Sequence, residues 1–420
     1  MTDTLRCYAV ATMSETSRWP APWVFGVLIL PLGILVGFKT TPLPYLLAQA
    51  GIPVDRIATV STLVNLPTLF VPLWGPLADV KLRRRTWLAI SVFSSALAFC
   101  MYFPLTGATH LDLMTALILV AGVADSLIAA ACGGLMARAI SARDGNRASA
   151  WYQVGLLGGG ALGGALVLWL VARLSLTTAG FLVALLIALP GLVAFTIPEA
   201  PPEASPWFKG RLKQIAGEFL ALVRSPSRRW SVLLLLGPGS TGAAMFLLPA
   251  IASSYGVGGD GVLWINGAGG GLLLAVGALS GALVPSDWDR RLAYAAAGMT
   301  NALAVFILLG TPRPSLYLIG TVCYLITAGF CGACWTALTL EIVGANSRDT
   351  STLFGAFTAT ASVSFLYMIW LDGVGYHHFG VRGLLWTDAT ANLLVFAIVV
   401  VVFLVCGLGV RRASADRTIG

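Results

Sequence analysis

Apolar residues in this chain fall in continuous runs, and polar residues gather in the short gaps between them. Runs of about 20 residues recur along the length, each long enough to cross a hydrocarbon core of about 30 Å. The pattern predicts twelve helical spans. Six lie near 22–47, 55–78, 86–106, 112–137, 148–171 and 176–197; six more lie near 230–253, 260–284, 291–310, 315–340, 351–371 and 383–409. A membrane β-barrel would alternate apolar and polar residues, which these runs do not. The expected fold class is therefore all-α, a polytopic membrane protein.

The polar gaps orient the spans. The densest is Gly75-Pro-Leu-Ala-Asp79-Val-Lys-Leu-Arg83-Arg84-Arg85-Thr86, between the second and third spans. Lys- and Arg-rich short loops stay on the cytoplasmic side. With that turn placed there, twenty-one lysines and arginines fall on the same side, against Arg56, Arg173, Arg313 and Arg382 opposite and Lys39 within a span. An even span count puts both termini in the cytoplasm. Residues 1–19 are polar, so no cleavable signal peptide is expected, and Met13 is an alternative start.

The longest polar segment opens Pro198-Glu-Ala-Pro-Pro-Glu, which interrupts any helix. Beyond it, Trp207, Phe208, Leu212, Ile215, Phe219 and Val223 interleave with Lys209, Arg211, Lys213 and Arg224. That spacing predicts an amphipathic helix on the anionic lipids of the inner leaflet. On either side the chain repeats. Trp23, Pro31 and Pro42 recur as Trp230, Pro238 and Pro249; Gly75, Arg84 and Arg85 recur as Gly281, Arg290 and Arg291; Asp144 recurs as Asp349. Such a nearly constant offset marks a duplicated architecture. The expected organisation is a cytoplasmic tail (1–21), a six-helix bundle (22–197), a linker (198–229), a pseudo-symmetric six-helix bundle (230–409) and a second tail (410–420).

Composition sharpens the picture. Of 420 residues, 57% are hydrophobic and only 10% charged, with a mean hydropathy of +0.85, too little charge to cover a water-soluble protein of this size. The 47 glycines suit helices whose backbones approach closely in a membrane. The net charge of +8 is parcelled into loops, which reads as an orientation signal and excludes a nucleic-acid partner. Six of the seven cysteines lie in predicted spans, so no disulfide framework is implied, and Cys331-x-x-Cys334 lacks further ligands for a metal. The His377-His378 pair is not read as a metal site. No nucleophile triad, phosphate loop or dinucleotide fingerprint is present; the chain is expected not to be an enzyme and to need no cofactor.

The segment Gly75-x-Leu77-Ala78-Asp79-x-x-x-Arg83-Arg84 resembles the signature loop of the major facilitator superfamily, with Leu82 where a glycine is usual. The resemblance covers nearly the whole chain and implies alternating access between two bundles. A narrower resemblance, to AmpG-type muropeptide permeases, acetyl-CoA transporters and siderophore importers, rests on Leu73-Trp74-Gly-Pro76-Leu-x-Asp79, on Arg83-Arg-Arg-x-Trp87-Leu, on Asp125 and on the glycine-rich fifth span. The family resemblance implies that the first, fourth, seventh and tenth helices line a central cavity. It also implies that Asp79, braced by Arg83, Arg84 and Arg85, hooks the start of the eleventh helix as a conformational gate with Gly75.

Lys39 is the one basic residue deep in a span, in Gly37-Phe-Lys-Thr-Thr-Pro-Leu-Pro44, and Asp125 is the one acid near a span's middle. Intramembrane charge is costly, which marks both as candidate coupling or counter-ion groups. They are expected to face one another across water or substrate. The static alternative is an ion pair that only joins two helices. Pro31 and Gly237-Pro238-Gly239 are expected to be matched helix breaks near a midplane site. The polar candidates near it are Thr40, Thr41, Tyr152, Gln153, Ser240, Thr241 and Asn266. Trp335, Tyr324, Tyr367 and Trp370 are candidate route-lining aromatics, and Glu341, Asp372 and Asp388 candidate gates. Gly155-x-x-x-Gly159-Gly160-x-x-Gly163-Gly164 resembles an antiporter motif with Gly160 in place of its proline, and its physical content is close packing.

The function expected is a monomeric secondary transporter in a bacterial inner membrane. It would import a small anionic or amphiphilic solute (muropeptide, siderophore or acyl-CoA-like) together with a proton. The alternatives are an efflux pump for drugs or metabolites, and a non-transporting assembly factor of the PucC-like kind.

Overall fold

The computed structural model describes residues 20–40, 42–52, 82–105, 110–141, 143–199, 226–344 and 350–405, with isolated positions 60, 63, 64, 67, 71, 78, 79, 217, 220 and 224. Nearly all of the second predicted span and most of the predicted amphipathic linker lie outside these residues. So do Gly75 and Thr41. The described residues are helical, with no β-strand among them, and they include nine helical stretches long and apolar enough to cross a membrane.

The first half contributes α1 (Trp23–Thr40), α2 (Pro42–Gln49), α3 (Arg84–Tyr102) and α4 (Leu111–Ala139). It continues with α5 (Gly145–Gln153), a π-helical turn (Val154–Gly158), α6 (Gly159–Arg173) and α7 (Leu176–Leu192). The second half contributes α8 (Pro226–Leu236), α9 (Leu248–Ile251), α10 (Gly259–Val262), a π-helical turn (Leu263–Ala268) and α11 (Gly269–Ser280). It ends with α12 (Arg290–Leu308), α13 (Pro314–Val343) and α14 (Thr350–Val405), whose two arms meet at Gly380 with φ 63°. Only glycine takes that backbone conformation without strain. The repeat is visible in length: α3 and α12 both hold 19 residues and both start on the paired arginines.

Of the two matched breaks expected, only the second forms. Pro31 sits inside an uninterrupted α1, whereas α8 stops at Leu236, just before Gly237-Pro238-Gly239. A single proline removes one backbone donor, and a helix gripped by neighbours tolerates that. A proline flanked by two glycines adds maximal backbone freedom to the lost donor, and the helix ends. The chain then passes through Ser240 (φ 58°) and Gly242 (φ 65°) before turning helical again. The groups freed by this break are met from three directions. Ser364 Oγ and Tyr367 Oη donate to Leu235 O and Leu236 O at 2.9 and 2.7 Å. Asn392 Oδ1 accepts from Ser240 N at 2.7 Å, and Ala244 N donates to Tyr324 Oη at 3.2 Å. Tyr324 and Tyr367, read from the sequence as route-lining aromatics, thus cap a broken helix.

Glycine sets how closely α1 packs on α6. A Cβ at Gly33 would lie 2.7 Å from Gly155 O, and one at Gly163 would lie 2.6 Å from Ile34 Cα, closer than real side chains come. A Cβ at Gly160 would sit at an ordinary 3.8 Å from Gly33 O. The glycine-rich segment is therefore a packing surface. Gly163→Ala is expected to cost roughly 1–3 kcal/mol by overpacking and to lower the thermal unfolding midpoint in detergent, read by thiol-reactive dye at the buried cysteines. Gly160→Ala should leave that midpoint unchanged.

Candidate functional site

Lys39 closes the last turn of α1, and Asp125 lies midway along α4. Lys39 Nζ donates to Asp125 Oδ2 in direct contact. Their side chains are 2% and 1% exposed, so the pair is sealed from solvent. The expectation that water or substrate separates them is corrected. In this conformation each charge is the other's partner, which is the cheapest arrangement in a low-dielectric interior. The pairing is incomplete, however: Asp125 Oδ1 is buried and has no hydrogen-bond donor among the described residues.

The other expected site residues do not gather around this pair. Thr40 is exposed and its hydroxyl bonds back to Gly37 O at 2.9 Å. Gln153 Nε2 donates to Thr336 Oγ1 at 2.8 Å, joining α5 to α13 across the two halves. Tyr152 is buried edge-on against Phe354, ring centroids 5.8 Å apart. Ser240 belongs to the break after α8, its hydroxyl donating to Tyr294 O at 2.7 Å. Thr241 follows it with a buried hydroxyl lacking a partner among the described residues. Asn266 sits in the π turn before α11 and donates to Tyr317 Oη at 3.0 Å. These are structural contacts within or between the halves. The single midplane cluster read from the sequence is not assembled here.

At the arginine-rich end the halves are locked together. Asp79 Oδ2 accepts from Thr352 N at 2.9 Å and Thr352 Oγ1 at 2.8 Å, in the first turn of α14. A carboxylate there satisfies orphan backbone donors and faces the positive end of the helix dipole. Arg84 Nε donates to Asp79 Oδ1 at 2.8 Å and to Ser351 Oγ at 3.0 Å. Glu199, beyond the end of α7, accepts from the backbone N–H groups of Arg84 and Arg85 at 3.0 and 3.1 Å, capping α3. Arg85 Nη1 reaches Ile197 O at 3.1 Å. Arg83 precedes α3 in extended backbone conformation.

The second half has polar contacts of a different kind at the equivalent place. Arg290, at the equivalent place in α12, bonds Glu341 of α13 at 3.3 Å, while Asn146 Nδ2 of α5 donates to Val284 O at 2.8 Å. Thr350 Oγ1 donates to Gly134 O at 3.2 Å beside the same seam. Glu199, Thr336, Ser351 and Thr352 were not singled out from the sequence. Glu199 alone carried a signal, as an acid directly after a span, and it read as linker.

Neutralising Asp79 removes the carboxylate that both halves share, and breaking a buried pair costs roughly 3–5 kcal/mol. Asp79→Asn is expected to accelerate maleimide labelling of the fully buried Cys132, one residue from the seam at Gly133 and Phe354, by about tenfold or more. An unchanged labelling rate would refute the lock.

The residues 24–366 match the model of the Major Facilitator Superfamily. No curated protein matches the chain by sequence. Among solved structures, the fold is similar to that of the human organic anion transporter MFSD10 (TETRAN), with 17% identity, a TM-score of 0.67, and 89% of this chain and 97% of that one covered. It is similar to the transporter FucP in its outward conformation, with 13% identity, a TM-score of 0.67, and 90% and 98% covered. It is also similar to the proton:xylose symporter XylE, with 12% identity, a TM-score of 0.64, and 90% and 93% covered. Identities this low speak of fold alone. The family model, spanning most of the chain, together with the helical fold and the loop at Asp79 and Arg83–Arg84, places this multi-pass membrane protein in the Major Facilitator Superfamily, to which the chain belongs.

Proposed function

We propose that the protein is a proton-coupled importer of a small anionic or amphiphilic solute, working by alternating access between a bundle at 22–197 and a bundle at 230–409. One observation carries this reading: Lys39 and Asp125 are each buried against the other in the first half. An anionic solute that engages Lys39 takes away the partner of Asp125. A lone carboxylate in that interior is untenable, so Asp125 takes a proton as the solute binds. Solute and proton then travel together, with no net charge added to the pocket. The unpartnered Asp125 Oδ1 is the atom that would receive the proton.

The arginine-rich face is the cytoplasmic one on this reading, with both termini there, and the contacts around Asp79 close it. The solved relatives lend support in kind: one is described as an organic anion transporter and another as a proton:xylose symporter. Muropeptide, siderophore and acyl-CoA-like solutes are the classes favoured by the narrower sequence resemblance. A bacterial inner membrane and a monomeric carrier complete the proposal. Thr41 and Gly75 keep their proposed roles, at the pocket and the gate, outside the described residues.

Proteoliposomes with a pH-sensitive dye inside test it, using an anhydro-muropeptide, a ferric siderophore and an acyl-CoA added outside in turn. One of them should acidify the lumen with wild-type protein. Asp125→Asn and Lys39→Ala should each cut the initial rate roughly tenfold or more, about 1.4 kcal/mol of coupling. Acidification of equal rate in Asp125→Asn would eliminate that carboxyl as the coupling group.

A further inference from the structure

α5, the π turn after it and α11 run side by side along the seam between the halves. A Cβ built on Gly281 would lie 3.9 Å from Ala150 Cβ, and one on Gly158 would lie 3.5 Å from Ala275 Cβ. Where α5 begins and α11 ends, the seam opens into a groove of about 440 Å³. Its first-half wall carries Arg143, Asp144, Asn146 and Arg147, and its second-half wall is the turn at 282–286. Asn146 joins the walls, donating to Val284 O at 2.8 Å and to Pro285 O at 3.4 Å.

Two of the three charged side chains lining the groove are cationic. Asp144 is held by Ser141 Oγ, which donates to its Oδ2 at 3.0 Å, while Arg147 Nη1 lies 3.8 Å from its Oδ1. An exposed pair that loose contributes little, so Arg147 can turn to a better acceptor. Arg143 is exposed and forms no ion pair among the described residues. Guanidinium groups grip phosphate oxygens through paired hydrogen bonds.

The groove also opens towards lipid. Leu283, on its rim, is 82% exposed at the end of a span apolar enough to cross a membrane. Leu279, Val276 and Leu272 continue an exposed stripe along that span, at the spacing of one helix face. Trp151, one turn beyond Arg147 on α5, is exposed as well, as tryptophans at a membrane surface are. A ligand that uses both the arginines and the stripe has an anionic head and an alkyl tail. We infer that the groove binds one anionic phospholipid, with its phosphate on Arg143 and Arg147 and one acyl chain along Leu283, Leu279, Val276 and Leu272. A singly charged headgroup such as that of phosphatidylglycerol balances the one excess cation of the lining.

Photocrosslinking of the full chain in phosphatidylcholine vesicles tests this without any transported solute, so its outcome is independent of the proposed coupling by Lys39 and Asp125. The probe is phosphatidylglycerol carrying a diazirine in one acyl chain. It should label the peptide that holds residues 272–283. Unlabelled phosphatidylglycerol should compete, whereas phosphatidylethanolamine and inorganic phosphate should not. Arg143→Gln/Arg147→Gln should cut labelling of that peptide roughly tenfold or more and leave the other spans labelled as before. Unchanged labelling in the variant would overturn the site. Equal labelling of wild type by the matching phosphatidylcholine probe would overturn it too, by showing an ordinary lipid annulus, and that comparison holds even if the variant fails to fold. Competition by inorganic phosphate would show a free-anion site and refute the lipid.

Discussion

A charge carried into an oily interior must find a partner, and the contact between Lys39 and Asp125 is where this chain meets that requirement most starkly. α1 and α4 are apolar over almost their whole length, and each carries one ionic group into the interior. Neither helix could keep its charge alone, so the two must sit side by side in a defined register. The rest of the first half follows from that apposition. Gly33 and Gly163 allow α6 to lie against α1 at backbone distance, and Phe38, one residue before Lys39, packs edge-on against Phe99 and Tyr102 of α3. An interior so tightly gripped transmits a change of charge to its neighbours as a change of packing.

The same requirement is solved differently where the halves meet. At the arginine-rich end, Asp79 and Arg84 share their partners with the start of α14, and Glu199 caps α3 beside them. These bonds join side chains to helix termini, and releasing them opens the seam where Gly133 and Gly134 pack on Phe354 and Ser351. Deeper in, Gln153 and Thr336 add a single neutral hydrogen bond. A seam built of terminal hydrogen bonds and small residues suits two bodies that must part and rejoin. On the proposed reading, the pair in the first half senses solute and proton, and this seam is what yields.

Much of this was legible in the residues. Uninterrupted apolar runs reveal helices because a membrane admits few other folds. Isolated charges within them reveal themselves by their cost, and so Lys39 and Asp125 stood out and do meet. The hook of Asp79 on the eleventh span came from the family resemblance and stands in the structure at Thr352. What stayed hidden depends on register between distant segments. Nothing local to Thr336 says that Gln153 will reach it, and Tyr324 and Tyr367 read as membrane aromatics until the break after α8 supplies acceptors and donors. Pro31 misled for the converse reason: a proline weakens a helix locally, but whether the helix breaks is decided by its neighbours.

The central claim is that the Lys39–Asp125 pair does more than join two helices. The measurement that tests it most directly is solute-driven lumenal acidification by the neutral double variant Lys39→Met/Asp125→Asn, with correct folding checked by thermal unfolding in detergent. Removing both charges at once leaves no unpaired ion, so the protein should fold. The account predicts a folded protein that no longer admits protons with its solute. A folded double variant that acidifies vesicles at the wild-type rate would show the pair to be a structural tie alone, and would contradict the account.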